Sequence, residues 1–202
     1  SELVLGSMLS LFRNIYVTSN ALKNGIWQKD GGTQLSDKTV GIIGVGNTGK
    51  DLIELLKPFN CKILVNDIVK QDEYYASNNL IEATKDEIFK KADVITVHTP
   101  LDDSTKYLIS KETLQMMKST SFVINTARGG IVNQDDLKWA LQNNIIAGAA
   151  IDPYEVEPPE DKDLISLPNL INTPHIGGNA QEAVEAMGMA AITNIVEWAK
   201  VK

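Results

Sequence analysis

The sequence predicts an α/β fold built on a doubly wound parallel sheet, with helices covering both sheet faces. Three observations carry that expectation. Short β-prone runs recur along the chain with helical stretches between most of them, the alternation that builds parallel sheets through βαβ crossovers. Several of these runs are apolar throughout, as strands buried on both faces require. The third is Gly44-Val45-Gly46-Asn47-Thr48-Gly49, a glycine-rich turn set between the first run and a helical segment.

Taken in order, the chain opens on a helical pattern with apolar residues at Leu3, Val4, Met8, Leu11, Phe12 and Ile15. Lys23 to Gly32 reads as a loop containing Gly25 and Gly31-Gly32. Strands are predicted at Thr39–Ile43, Lys62–Asn66, Val94–His98, Phe122–Asn125, Ala147–Ile151 and Leu170–Asn172. One helix begins at the glycine turn and runs to Lys57, where Pro58 marks its end. Thr84-Lys85-Asp86-Glu87 has the form of a capping box. Ser110 and Asn133 are suited to cap helices over Lys111–Met117 and Gln134–Gln142. Asp152 to Pro168 is acidic, proline-rich and too long for a simple connection, the kind of loop that carries function. Asn179 to Lys200 is again helical.

Composition narrows the function classes. With 43% hydrophobic and 22% charged residues, the 202-residue chain has ordinary globular make-up and enough length for a real core. Its net charge of −7 offers no basic footprint for nucleic acid. No run approaches the roughly 18 apolar residues of a membrane span. Cys61 is the only cysteine, which rules out an internal disulfide, fits a reducing cytoplasm, and reads as a buried small hydrophobe. No metal site is expected. Ser1-Glu2 leads straight into a helix without an initiator methionine, so the first residue reads as a cut into a longer chain.

The glycine turn predicts a dinucleotide site. Gly44 permits the tight turn, Gly46 a close approach to pyrophosphate, and Gly49 close packing of helix on strand, while Asn47 and Thr48 open the helix whose amides face the phosphates. Asp67 ends the next strand, 18 positions beyond Gly49. There a carboxylate accepts hydrogen bonds from both ribose hydroxyls and repels a 2′-phosphate, which favours NAD over NADP. Taken alone, a glycine turn and a surface aspartate would be unremarkable; strand, helix and acid coincide here.

Further segments carry a family resemblance. Val97-His98-Thr99-Pro100, Asn125-Thr126-Ala127-Arg128-Gly129-Gly130, Asp152-Pro153-Tyr154-Glu155-Val156-Glu157-Pro158 and Thr173-Pro174-His175-Ile176-Gly177-Gly178 follow in order. With the glycine turn, they resemble the cofactor domain of the D-isomer-specific 2-hydroxyacid dehydrogenases, a family that includes phosphoglycerate dehydrogenase, D-lactate dehydrogenase and hydroxypyruvate reductase. The resemblance implies a Rossmann fold, bound NAD and a catalytic trio of Arg128, Glu157 and His175. The residue types suit reduction of a 2-oxo acid. A planar guanidinium can grip a carboxylate and polarise a ketone. An imidazole titrates near neutrality and serves as acid or base. A glutamate on its far nitrogen stabilises the protonated ring. Glu155 is the rival to Glu157, which is preferred because it directly precedes Pro158, where the family motif puts its glutamate. By the same resemblance His98-Thr99-Pro100 wall the adenosine side, Thr126 and Ala127 border the cofactor, Asp152 meets the nicotinamide carboxamide, and Gly177 and Gly178 let backbone approach the ring. Pro153-Tyr154 depart from the family's small aliphatic residue and phenylalanine, which alters the local loop and adds a hydroxyl.

The resemblance also implies a division of the chain into an interdomain helix and dimer arm (residues 1–27), an NAD-binding domain (28–178) and a helix returning toward a separate substrate domain (179–202). That substrate domain is largely missing from the sequence, so a phosphoglycerate- or glycerate-like acid is only a guess among 2-hydroxy acids. A homodimer through the cofactor domain is expected. The alternative is a binding protein, an NAD sensor or corepressor on the same fold.

Overall fold

The computed structural model describes residues 1–200. Its elements follow in chain order. Helix α1 spans Glu2–Phe12 and α2 Ile15–Lys23. Strand β1 (Thr39–Ile43), α3 (Asn47–Leu56), β2 (Lys62–Asn66), α4 (Asp72–Ser77), β3 (Ile81–Glu82), α5 (Lys85–Lys91) and β4 (Val94–Val97) form the first half of the sheet. The second half comprises α6 (Lys111–Met116), β5 (Phe122–Asn125), α7 (Gln134–Gln142), β6 (Gly148–Ile151), α8 (Lys162–Ile165) and β7 (Leu170–Asn172), followed by α9 (Gln181–Lys200). All six neighbouring strand pairs are parallel, in the order β3-β2-β1-β4-β5-β6-β7.

Apolar strands fill two cores because successive side chains point to opposite faces. Ile43, Leu64, Ile95, Val97, Val123 and Ala149 pack with Ile88, Phe89, Leu114 and Leu137 of α5, α6 and α7. Val40, Ile42, Val65, Val94, Ile124 and Ala150 pack on the other face with Met8, Leu52, Ile53 and Leu56 of α1 and α3. The fold class is therefore the predicted Rossmann-type α/β sheet.

Several boundaries differ from expectation for identifiable reasons. The opening helix is broken: Asn14 takes a left-handed φ of 50°, so α1 buries Val4, Met8, Leu11 and Phe12 against the sheet while Ile15 turns outward. The surface that would be apolar on α1 is thus covered by the domain's own core; the exposed apolar residues lie beyond it, at Leu22, Ile26 and Trp27, the last 76% exposed. Strand β3 has only two residues, too short for a period to register in sequence. Pro58 does not stop the chain from winding but sits in a 3₁₀ turn over Lys57–Phe59. The capping box at Thr84 forms as predicted, with Glu87 N–H donating to Thr84 Oγ1 at 3.2 Å and Thr84 N–H to Glu87 Oε2 at 3.1 Å. Asn133 caps α7 through its Oδ1, which accepts from Asp136 N–H at 3.1 Å. The acidic loop contains the short α8, capped by Asp161. Cys61 is half-buried rather than buried, and desolvation pushes its thiol up to about 11, which keeps it protonated. Among the described residues no helix is long and apolar enough to cross a membrane, and no group of three His, Cys, Asp or Glu is placed to hold a metal ion.

Candidate functional site

Because every pair of strands is parallel, all their carboxyl ends face one edge, and the strand order reverses between β1 and β4. Crossovers leave that point on opposite faces and open a crevice, the position where ligands bind in such sheets.

The glycine turn forms the floor. Gly44 has φ +97°, and a Cβ there would lie 2.6 Å from the His98 carbonyl oxygen. A Cβ on Gly49 would meet the Gly44 oxygen at 2.3 Å, so α3 can sit this close to β1 only without one. At Gly46, by contrast, nothing lies within 4 Å, and Asn47 and Thr48 are exposed at the start of α3. The first-turn amides of that helix have no intrahelical partner and suit an anion.

Asp67 stands beside this turn. Its Oδ2 accepts from Val45 N–H at 2.5 Å and its Oδ1 from Val69 N–H at 2.8 Å. Those two bonds orient the carboxylate and leave acceptor capacity on both oxygens. A cavity of about 240 Å³ opens next to it, lined by Gly44, Gly46, Asp67, Ile68, Val69, Lys85, His98, Thr99 and Pro100 among others. Ile68 and Val69 were missed by sequence reasoning. They are 96% and 59% exposed, an apolar pair held in water beside an acid. The available signal was two β-branched residues continuing past the acid that closes a strand, and it looks the same as a longer strand.

A second cavity of about 310 Å³ continues along the edge, lined by Thr48, His98, Thr99, Pro100, Thr126, Ala127 and Arg128. The two share His98, Thr99 and Pro100, so one trough runs from Asp67 to Arg128. Thr99 Oγ1, buried in that shared wall, has no hydrogen-bond partner among the described residues. A native buried hydroxyl is rarely left so. With the open space at Gly46, this orphan fits an extended polar ligand lying on the glycine turn. His98 Nε2 lies 3.0 Å from Thr96 Oγ1, and burial pushes the imidazole down to about 4, so the ring is neutral near pH 7. A ring that is neutral near pH 7 does not suit acid catalysis.

Three loops bring the predicted trio to the same edge. After β5, the buried Asn125 folds its side chain over the loop: Nδ2 donates to Arg128 O at 2.9 Å and Oδ1 accepts from Ala127 N–H at 3.0 Å. Arg128 is exposed, donates to Ala127 O at 2.7 Å, and forms no ion pair with a carboxylate among the described residues. Most of its fork is free for an anion. After β6, Glu157 Oε1 accepts from Tyr154 N–H at 3.0 Å while Oε2 lies 3.0 Å from His175 Nδ1. The His175 hydrogen bond, then the Tyr154 amide, hold the Glu157 carboxyl below its usual range. Glu155, the rival, turns away: its Oε2 accepts from Tyr107 Oη at 2.9 Å.

After β7, His175 adopts φ +54°, an uncommon value for a residue with a side chain. Its N–H donates to Asp152 O at 3.1 Å and Thr173 O at 3.0 Å. Asp152, 1% exposed, secures the same loop from below. Its Oδ1 accepts from Thr173 Oγ1 at 2.6 Å and Ile176 N–H at 2.8 Å, and its Oδ2 from Gly177 N–H at 2.8 Å. A Cβ on Gly177 would lie 2.9 Å from Asp152 Oδ2, whereas Gly178 is open. The closeness at Gly177 is thus owed first to Asp152. A cavity of about 250 Å³ flanks the Glu157–His175 pair, walled by Pro158, Pro159 and Pro174.

Residues 5–177 match the family described as D-isomer specific 2-hydroxyacid dehydrogenase, NAD binding domain. The chain is 38% identical over 192 residues to the D-3-phosphoglycerate dehydrogenase of Methanocaldococcus jannaschii, covering 93% of this chain and 36% of that protein. It is 35% identical to the hydroxypyruvate reductase of Thermotoga maritima, covering 96% of this chain and 64% of that one. Among solved structures, a D-lactate dehydrogenase from Sporolactobacillus sp. superposes with a TM-score of 0.88 at 34% identity, covering 96% of this chain and 63% of that one. The D-lactate dehydrogenase with NAD+ from Lactobacillus jensenii superposes with a TM-score of 0.90 at 28% identity, covering all of this chain and 65% of that one. The chain therefore spans between about a third and two thirds of the length of these relatives.

Proposed function

The chain belongs to the D-isomer-specific 2-hydroxyacid dehydrogenases as their NAD-binding domain, and from that premise we propose that the whole protein interconverts a 2-oxo acid and the corresponding D-2-hydroxy acid. The domain's cofactor is NAD. The observation that carries the reading is the His175 Nδ1–Glu157 Oε2 contact of 3.0 Å, on the same sheet edge as an arginine with no carboxylate partner among the described residues. The glycine turn, Asp67 and the trough walled by His98, Thr99, Pro100, Thr126 and Ala127 are the proposed cofactor contacts, with Asp152, Gly177 and Gly178 at the nicotinamide end.

When bound, NADH supplies the hydride that reaches the carbonyl carbon. The chain's own residues do the rest. Arg128 holds the substrate carboxylate and draws charge onto the ketone oxygen. His175, protonated and held through Nδ1 by Glu157, offers Nε2 to that oxygen and gives up its proton as the hydroxyl forms. Glu157 keeps its charge throughout and offsets the imidazolium. In the reverse direction His175 takes the hydroxyl proton. The balance is one hydride and one proton per carbonyl reduced.

A glycerate- or phosphoglycerate-like acid is the favoured substrate, supported by similarity to proteins named for those reactions. The division into an arm (residues 1–27), an NAD-binding unit (28–178) and a returning helix (179–202) is retained as a proposal, although α1 packs as part of the domain core. Two-fold pairing through this domain is proposed from the exposed Leu22, Ile26 and Trp27, neighbours in sequence, since exposed apolar patches mark contacts. A cytoplasmic setting is proposed from the lone cysteine.

The test uses the full-length protein. His175→Ala should cut reduction of 2-oxo acids by roughly 10²–10⁴-fold, as loss of a positioned proton donor does. Arg128→Lys should fail as well, because an ammonium cannot reproduce the fork. Turnover unaffected by either change, or NAD binding without turnover in the unmodified protein, would favour a dinucleotide-sensing role instead.

A further inference from the structure

We propose that Tyr154 is the positioning residue that keeps Arg128, Glu157 and His175 in register, by tying the loop after β6 to the strand that leads to His175. This rests on the catalytic reading of the trio given above. Three separate contacts converge on this one residue. Its N–H donates to Glu157 Oε1 at 3.0 Å, so a second donor besides His175 fixes the carboxylate. Its carbonyl lies against the loop after Arg128: a Cβ on the buried Gly129 would be 2.1 Å from Tyr154 O. Its hydroxyl donates to Asn172 Oδ1.

The third contact is the informative one. Asn172 ends β7, three residues before His175. Its Nδ2 donates to Ile165 O at 2.8 Å, which orients the amide with Oδ1 toward the phenol. Glu157 and His175 sit on different loops. Asp152 ties the end of β6 to the loop after β7 through its carbonyl and carboxylate, and Tyr154 adds a tie to Asn172 from the residue whose amide also holds Glu157. The ring is 6% exposed. Burial first, and the nearby Asp152 charge second, push the phenol up to about 12, so the hydroxyl remains a donor at every working pH. A phenylalanine would fill the same space but could not hydrogen-bond to Asn172.

The Glu157 carboxylate offsets the imidazolium charge, so a looser pair should show in the pH dependence of turnover. Full-length enzyme carrying Tyr154→Phe, Asn172→Ala, both together, or Glu157→Gln is compared with the parent. The readouts are kcat and KM for 2-oxo acid reduction, NADH affinity, thermal stability and the pH dependence of kcat. Tyr154→Phe is expected to lower kcat about tenfold while KM and NADH affinity stay within about twofold, the signature of lost transition-state geometry. The alkaline limb of the kcat profile should move to lower pH, in the direction that Glu157→Gln moves it further. Asn172→Ala should do the same, and the double variant should be no worse than either single one. If Tyr154→Phe leaves kcat and the limb unchanged while Glu157→Gln changes both, the positioning role is overturned and the catalytic reading stands. If Glu157→Gln changes neither, the catalytic reading itself falls. A drop in kcat that follows lost stability with an unmoved limb shows a merely structural tyrosine and overturns the proposal. Should Tyr154→Phe not fold, Asn172→Ala interrogates the same bond by the same criteria.

Discussion

Asp152→Asn is the perturbation that best separates the loop's anchoring from its chemistry. The carboxylate is 1% exposed and accepts three hydrogen bonds, from Thr173 Oγ1, Ile176 N–H and Gly177 N–H. An asparagine of the same shape keeps one oxygen. Its better orientation leaves that oxygen on Oδ1's two donors and turns an NH₂ toward Gly177 N–H, donor against donor. The amide of Gly177, an exposed residue, then loses its protein partner and turns to water, a loss of about 1 kcal/mol, and the two surviving bonds lose their charge assistance. Removal of a buried charge recovers part of that cost. A net destabilisation of about 1–3 kcal/mol results, or roughly 2–12 °C in Tm for a chain of this size. Urea unfolding measures the global effect, and hydrogen exchange at Ile176 and Gly177 measures a loop that opens without global unfolding. Stability within about 0.5 kcal/mol of the parent, together with unchanged protection of those amides, would refute the anchoring argument.

Other expectations follow from the same geometry. Titrated by calorimetry, the protein should bind NADH far better than NADPH, and Asp67→Ala should erode that preference; equal affinities in the parent would remove Asp67 from the ribose. His98 is held neutral with its imidazole at about 4, so its contribution to stability is complete above its unfolded value near 6.5 and is lost as pH falls toward 4. The slope is at most about 1.4 kcal/mol per pH unit, and it should largely vanish in His98→Gln when denaturation is followed at pH 4.5 to 7. Glu157 is also displaced downward, chiefly by its hydrogen bond to His175, which for a carboxyl favours the charged form. In His175→Gln its carboxyl carbon should therefore titrate at higher pH by NMR, and an unmoved midpoint would count against the pair. Light scattering at micromolar concentration should find a dimer; a monomer contradicts pairing through this domain.

Much of this protein was legible in its sequence because local chemistry and topology agree. Apolar runs such as Thr39–Ile43 and Phe122–Asn125 announce strands covered on both faces, and a parallel sheet with a glycine turn after its first strand leaves few arrangements. Asp67, Arg128, Glu157 and His175 could be singled out because each sits in an ordered motif, and the choice of Glu157 over Glu155 followed from a neighbouring proline. Tertiary structure decided what depends on contacts distant in sequence. Phe12 of α1 lies against Phe122 of β5, more than a hundred residues away, so the opening helix packs into the core of the sheet. Asn14 could break the opening helix because its αL backbone re-aims Ile15, an event that hydrophobic period does not record. Asp152 was expected at the cofactor, yet its three donors come from residues 21 to 25 positions on, and only the folded β6–β7 pair brings them under its carboxylate. Tyr154 lies within a motif and Asn172 just before one, yet neither motif announces the bond between them. Their meeting is a product of adjacent parallel strands, which set side by side two loops that the chain itself keeps apart.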